Sequence, residues 1–373
     1  MNESFGRVWL EINLATLRNN YLKIKEAVGD REVMAVLKAN AYGLGVEPIA
    51  AALAAAGVRR FGVAELHEAL ALAAKGLKTQ ILGCVLPEEI ERGVERGVTL
   101  PATDLEIATL ISQAAGRLGK TAECHFPIDT GMGRLGILAA DAVEVITEAV
   151  KLPHVRFAGI YSHFPVAYLA NNEYTVEQTY KLIRIVDALK ERGITFETIH
   201  IANSDAINNY PITRMPPFNL VRAGINLYGV YDLVGAHALK LRPVLALKTK
   251  LTAVRELPAG ASIGYGQTYK LPRKTLVGTV SAGYADGLPL ALSNRGHVLV
   301  RGVPCPILGR LSMDYTTVSL DCVPDAARGD EVVCLGGDGP TAISVEDWAS
   351  LKGSHPYDII CSFGNRVKRV YVE

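Results

Sequence analysis

What most narrows the fold of this chain is an alternation that runs from Val33 to Ala223, in which a short apolar run is followed by a helix-length segment again and again. The runs are Val33 to Leu37, Phe61 to Ala64, Gln80 to Gly83, Val98 to Leu100, Ala122 to Ile128, Phe157 to Tyr161, Thr198 to Ala202 and Asn219 to Ala223, eight in all. Each has the length and composition of a strand. Between them lie segments such as Val46 to Ala56, Leu66 to Lys75, Asp141 to Val150 and Tyr174 to Arg192, with apolar residues at helical spacing. Val8 to Ile12 adds a strand at the start, and Asn13 or Thr16 can cap a helix over Leu17 to Val28. Strand then helix, repeated eight times, predicts an α/β chain folded as a (β/α)8 TIM-like barrel.

Near Leu241 to Pro243 the helical spacing stops. From Val244 the chain alternates apolar and polar residues between turn signals, as in LALKTKLTAV, TLVGTVSAGY, HVLVRG and EVVCLG, which predicts a mostly-β second unit. The expected division is residues 1–240 for the barrel and 241–373 for the β domain. There is no repeat of solenoid period and no low-complexity linker.

In such a barrel the chemistry sits at the C-terminal ends of the strands. Polar residues gather at those ends: Lys38, Glu65, Asp129 with Thr130, His163, Asn203 with Ser204, and Arg222. Lys38 closes its apolar run and is followed at once by Asn40, Tyr42, Gly43 and Gly45, which read as a loop. Apolar walls lower the pKa of a lysine placed there and make its amine available for Schiff-base chemistry. A strand-end lysine is more often simply solvated, and a lone histidine such as His163 is more often structural than catalytic. These residues therefore gain weight from their setting rather than their type.

Lys and Arg number 39 against 38 Asp and Glu, a net charge of +1, so no global field recruits nucleic acid or anionic lipid. The N-terminus, MNESFGRVWLEI, has no apolar run of signal-peptide length, and no uncharged stretch reaches membrane-spanning length, so a cytoplasmic protein is expected. The six cysteines are scattered without CxxC or Cys/His pairing, which suits reduced thiols and gives no metal site.

VLKANAYG, around Lys38, resembles the pyridoxal phosphate lysine motif of the alanine racemases, members of the fold-type III pyridoxal phosphate enzymes. The likeness recurs in order from about Trp9 to Tyr371. HFPIDTGMGRLG resembles the segment whose arginine, here Arg134, bonds the cofactor's phenolic oxygen and lies near the substrate. YSHF resembles the segment whose histidine, here His163, packs on the cofactor ring. HIANS and VRAGINLYG resemble the phosphate site, implying Ser204, Gly224 and Ile225 as phosphate ligands with Tyr42 and Tyr357 beside them. The resemblance sets Arg222 at the pyridine nitrogen. An arginine there cannot accept a proton, which weakens the ring as an electron sink.

SIGYGQTY resembles the stretch that carries the second catalytic residue, here Tyr265. Inverting an α-carbon requires an acid and a base on opposite faces, and Lys38 serves only one. An unperturbed phenol titrates near pH 10, so Tyr265 needs a nearby cation. SAGYADGLP and GRLSMDY extend the match, implying Tyr284 at the substrate entrance and the Met313 backbone N–H on the substrate carboxylate. The chain departs from the family at Pro127, where a lysine, often carbamylated, is common. It departs also at Leu44, Gly264, Leu290 and Ser312.

The resemblance implies a pyridoxal 5'-phosphate-dependent racemase that interconverts L-alanine and D-alanine by two bases, Lys38 and Tyr265, and supplies D-alanine for peptidoglycan. It implies a homodimer with active sites shared across the interface. A racemase of the same fold acting on serine, lysine or a broad set is the nearest alternative. Tyr357 and Tyr284 crowd the side-chain pocket and favour a methyl group. A non-catalytic pyridoxal phosphate carrier shares the barrel but lacks the β domain, and a fold-sharing decarboxylase would carry a glycine-run phosphate loop that is missing here.

Overall fold

The computed structural model describes residues 6–373, so Met1 to Phe5 of the N-terminal stretch read above lie outside it. β1 (Trp9–Asn13) leads into a helix over Leu14–Val28. Of the two capping candidates it is Asn13 that caps, its side-chain oxygen accepting the Thr16 N–H at 2.6 Å. Such a cap is worth about 1 kcal/mol against alanine. Leu17, Tyr21, Ile24 and Val28 recur every three or four residues and are buried, each contributing roughly 1.5–3 kcal/mol of transfer free energy.

The barrel strands follow: β2 (Glu32–Val36), β3 (Arg60–Val63), β4 (Lys78–Ile81), β5 (Leu100–Pro101), β6 (Ala122–Asp129), then a two-residue β7 (Ile137–Leu138) on the flank of β6, β8 (Val155–Tyr161), β9 (Thr198–His200) and β10 (Leu220–Ala223). All pair in parallel, in the runs β10-β2-β3-β4 and β5-β6-β8-β9. A bridge between Gln80 and Thr99 joins the two runs on one side. On the other side, the Asn219 N–H bonds the Ile199 carbonyl at 3.1 Å and the Arg222 N–H bonds the Ala202 carbonyl at 3.0 Å. The ring is closed. Its strands are almost fully buried because helices cover the outside and side chains fill the inside.

The remaining strands are β11 (Leu245–Leu257), β12 (Ser262–Ile263), β13 (Tyr269–Lys270), β14 (Thr275–Val280), β15 (His297–Val300), β16 (Val303–Pro306), β17 (Thr316–Ser319), β18 (Glu331–Leu335) and β19 (Lys368–Val372). β11 organises them, pairing antiparallel with β1, β14 and β18 and bending at a bulge between Leu251 and Ala253. β1 also pairs in parallel with β19, Trp9 lying opposite Lys368. The first strand of the chain thus belongs to the β layer and not to the barrel ring. Alternation alone marks Val8 to Ile12 as a strand but does not say which sheet takes it.

Candidate active site

Lys38 follows β2 at the barrel mouth, where the Leu37 N–H bonds the Gly62 carbonyl of β3 at 2.8 Å and strand pairing ends. The loop expected after Lys38 is a single left-handed turn. Ala39, Asn40, Ala41 and Tyr42 have φ of 53, 55, 54 and 57°. None is glycine, and for an L-residue this conformation costs roughly 1–2 kcal/mol, so the surroundings must hold it. Burial against the mouth lowers the Lys38 amine pKa most, and the neighbouring cations Arg134 and Arg222 push it the same way.

Beneath the mouth lies Arg222, only 4% exposed. Its guanidinium donates to Nδ1 of His200 at 2.9 Å, to the Ser162 and Ile201 carbonyls at 2.8 and 3.0 Å, and to Nδ1 of His163 at 3.2 Å. Its carbon also sits 5.8 Å from the centre of the Tyr161 ring, which stacks on His200 at 4.9 Å. No carboxylate pairs with it among the described residues. Burial lowers its pKa to about 10.

A guanidinium can only donate, so both imidazoles must accept at Nδ1 and carry their protons on Nε2. Burial first, and the Arg222 charge second, hold His163 and His200 well below the usual histidine range and therefore neutral. His200 Nε2 then faces Nδ1 of His125 at 3.4 Å, and the far Nε2 of His125 is buried without a partner. Gly159 leaves the room His125 occupies, since a Cβ there would run into the imidazole.

At the other end of the mouth, Ser204 Oγ accepts the Gly224 N–H at 2.9 Å and the Asn226 N–H at 3.5 Å. The Gly224 N–H expected to be open to a ligand is thus turned to Ser204. Gly224 also permits the close approach of Tyr42, whose hydroxyl a Cβ would strike. The Tyr42 hydroxyl makes no hydrogen bond among the described residues. Burial pushes the phenols of Tyr42 and Tyr357 above their ordinary pKa, and the two rings lie 6.1 Å apart.

Arg134 leaves the glycine turn after β6. The Asp129 carboxylate organises that turn, accepting the N–H groups of Gly131, Met132 and Gly133 at 2.8–3.1 Å. Burial raises the Asp129 pKa, but those N–H groups outweigh it and hold the carboxyl below its usual range. The Arg134 guanidinium is exposed to the mouth and makes no ion pair or hydrogen bond among the described residues. Pro127, which offers no donor or charge, lines the same space.

That space is a cavity of about 290 Å³ lined by Lys38, Tyr42, Arg134, His163, Ser204, Arg222, Gly224 and Tyr357 among others. Eight of the residues read from the sequence therefore meet in one place. Ile225 is buried behind the lining. Tyr265, Tyr284 and Met313 do not reach the cavity. They stand on the β layer, 70%, 44% and 52% exposed. Glu65, at a strand end, is exposed, and it is Glu68 that turns its carboxylate to the mouth, bonding the N–H groups of Ala64 and Asn40. The sequence reading missed Glu68, His200 and His125. Two of them carried a signal, His200 as the first residue of HIANS and His125 as the first of HFPIDTGMGRLG.

Three cations, Lys38, Arg134 and Arg222, converge on this cavity without an ion pair among the described residues. With an amine of lowered pKa, a phenol lacking a partner and a hydroxyl beside a glycine, the donor set fits an anionic, phosphorylated aromatic aldehyde. Pyridoxal phosphate has that chemistry. No group of three His, Cys, Asp or Glu among the described residues could hold a metal ion.

Comparison with known proteins agrees along the whole length. The model described as alanine racemase, N-terminal domain, matches residues 12–232, and that described as alanine racemase, C-terminal domain, matches residues 244–371. An alanine racemase of Desulforamulus reducens is 38% identical over 371 residues, covering 98% of this chain and 99% of that protein. The solved structure of an alanine racemase from Clostridium difficile 630 has a TM-score of 0.93 at 35% identity, covering 100% of this chain and 97% of that one. One from Bartonella henselae with covalently bound pyridoxal phosphate has a TM-score of 0.88 at 30% identity, covering 98% and 100%.

Proposed function

The chain belongs to the alanine racemase family, and from that premise we propose that it interconverts L-alanine and D-alanine with pyridoxal 5'-phosphate, in an active site completed by a second copy of itself. The observation that carries the reading is Lys38. It is an amine of lowered pKa at the C-terminal mouth of a barrel, facing two arginines without carboxylate partners.

Pyridoxal phosphate held at Lys38 would supply a ring that draws electrons from the α-carbon of alanine. Ser204, Tyr42 and Tyr357, with the backbone N–H of Ile225, would hold the phosphate, and the Gly224 N–H, already bonded to Ser204 Oγ, would orient that hydroxyl. Arg222, a donor that does not give up its proton, holds the ring nitrogen. His163 covers the ring and is itself oriented by Arg222. Arg134 holds the phenolic oxygen and lies close to the substrate. Lys38 Nζ takes and returns the α-proton on the D face, and Tyr265 Oη does so on the L face. The Met313 N–H binds the substrate carboxylate, and Tyr284 lines the entrance.

Tyr265, Tyr284 and Met313 are exposed in the single chain, beside the exposed Leu290 and Tyr315. In the single chain Tyr357 and β19 reach the mouth from the C-terminal part, but Tyr265, Tyr284 and Met313 do not enter the cavity. A twofold head-to-tail dimer brings each β layer over the partner's mouth. The backbone of Gly264, the residue before Tyr265, pairs with that of Arg310. We divide the chain into domains at residues 240 and 241. No helix among the described residues is long and apolar enough to cross a membrane, and we place the enzyme in the cytoplasm, where its product D-alanine serves peptidoglycan synthesis.

The test is a chiral assay of the purified protein with each amino acid in turn. L-alanine should give D-alanine and the reverse, with loss of both on Lys38→Ala. Isomerisation of another amino acid while alanine is left untouched would sink the assignment.

A further inference from the structure

The residues that the chemistry needs at the start and end of the left-handed turn are Lys38 and Tyr42, and the four residues Ala39 to Tyr42 share one improbable backbone state. No glycine supplies it, so it persists only because other groups hold it. We propose that Glu68 and Arg369 are positioning residues for Lys38, gripping this turn from opposite sides.

Glu68 lies in the helix Leu66–Ala73, beside the end of β3. One carboxylate oxygen accepts the Ala64 N–H at 2.9 Å and the other accepts the Asn40 N–H at 3.3 Å. Asn40 in turn accepts the Val46 N–H on its side-chain oxygen at 2.8 Å, closing the loop onto the next helix. These contacts use donors of the turn. The carbonyl of Gly43, just past its end, is met from β19. Arg369 donates through Nε and Nη2 to the Gly43 carbonyl at 3.0 and 2.8 Å.

The other donors of that guanidinium are anchored too. They bond the carbonyls of Phe363, Gly364 and Val367, each at 2.7 Å. One residue pair further along β19, the Tyr371 hydroxyl donates to the Leu44 carbonyl at 2.9 Å and fills the space a Cβ at Gly45 would need. The guanidinium spends all its bonds on backbone carbonyls and has no carboxylate partner among the described residues, which suits a group whose work is to fix a chain path.

The grip has a direct consequence for the amine. With the turn held, Lys38 stands against the apolar mouth and beside Arg134, which keeps it short of its ordinary basicity. With the turn relaxed to right-handed backbone, Lys38 and Tyr42 both re-aim. The amine then swings into water and the phosphate end loses its phenol. Glu68→Gln removes one of the two acceptors and sets a donor against an N–H, and Arg369→Ala removes the whole fork.

The inference rests on Lys38 being the lysine that takes pyridoxal phosphate, and the test separates the two. The apoprotein is labelled with fluorodinitrobenzene across a pH series and the extent at Lys38 is read by peptide mass spectrometry. Binding of pyridoxal phosphate and kcat with alanine are measured on the same preparations. Arg18→Ala serves as control, because it unties Glu373 at the end of the same strand without touching the turn. Arg369→Ala should move the Lys38 labelling midpoint upward, whereas in Glu68→Gln the loss of a negative charge that raises the Lys38 pKa opposes that shift, so Glu68→Gln is read by cofactor binding and kcat. Both variants should weaken pyridoxal phosphate binding about tenfold and lower kcat by up to roughly 10²-fold, the scale of a 1 Å misplacement, with Arg18→Ala like wild type. Glu68→Gln carries the test if Arg369→Ala does not fold, and Arg369→Lys, which keeps the charge and one bond, should fall between. Wild-type protein that binds pyridoxal phosphate elsewhere than Lys38 would overturn the functional reading and the grip's purpose with it. Normal binding at Lys38 in wild type, with the same affinity and kcat in both variants and an unmoved midpoint in Arg369→Ala, would overturn the grip alone.

Discussion

Arg222 donates to Nδ1 of His200 at 2.9 Å, and neither residue has a carboxylate against it among the described residues. Most pyridoxal phosphate enzymes put a carboxylate where this arginine stands. The pair therefore presents a permanent donor, backed by a neutral acceptor, to the cavity, and under the proposed function that donor meets the ring nitrogen.

Arg222→Glu reverses that choice. The substituted enzyme should protonate the ring, raise the rate of transamination and lower racemisation, by about 10²-fold if the effect matches the loss of one oriented donor. Arg222→Gln, which keeps a donor without charge, should fall between. Pyruvate formed per D-alanine formed is the quantity to follow, and a ratio equal to wild type in both variants would place Arg222 away from the ring.

At Pro127 the chain has no amine to carry a carbamate, and Pro127 lines the cavity with Arg134. Activity should therefore be unchanged when bicarbonate is stripped and restored at constant pH. A clear gain on adding bicarbonate would show that another lysine carries the group.

Asp205 gives a pH dependence. Burial first, and the neighbouring Asp232 second, raise its carboxyl to about 6, against about 3.9 in an unfolded chain. The folded state thus favours the protonated form. The penalty for ionising it is absent below about pH 4, grows as the pH rises, and is complete above about pH 6. Asp205→Asn should raise the Tm of the apoprotein at pH 7.5 and leave it unchanged at pH 4. Equal effects at the two pH values would mean that Asp205 titrates as an ordinary carboxyl.

Much of this was legible beforehand because it depends on local pattern. All eight barrel strands fall within a few residues of their apolar runs, and Lys38, His163, Ser204 and Arg222 fall at strand ends because barrel geometry puts them there. Three features were hidden for physical reasons. The left-handed turn at Ala39 to Tyr42 contains no glycine to announce it and exists through Glu68 and Arg369, the second of them some 330 residues distant in sequence. β1 reads as a strand, but its partners β11 and β19 lie at the far end of the chain. The array from Arg222 through His200 to His125 depends on which side chains point inward at one level of the barrel, which spacing does not reveal.

The central claim is that one active site takes Lys38 from one chain and Tyr265 from its partner. Lys38→Ala and Tyr265→Ala are each expected to be inactive. When the two are unfolded and refolded together, half of the dimers should be mixed, and one of the two sites in each mixed dimer receives both intact residues. About a quarter of all sites should then be active, measured as racemase activity against each variant refolded alone. Activity no higher than that of the separate variants, with mixed dimers confirmed by mass, would contradict the account and place Lys38 and Tyr265 of a site on the same chain.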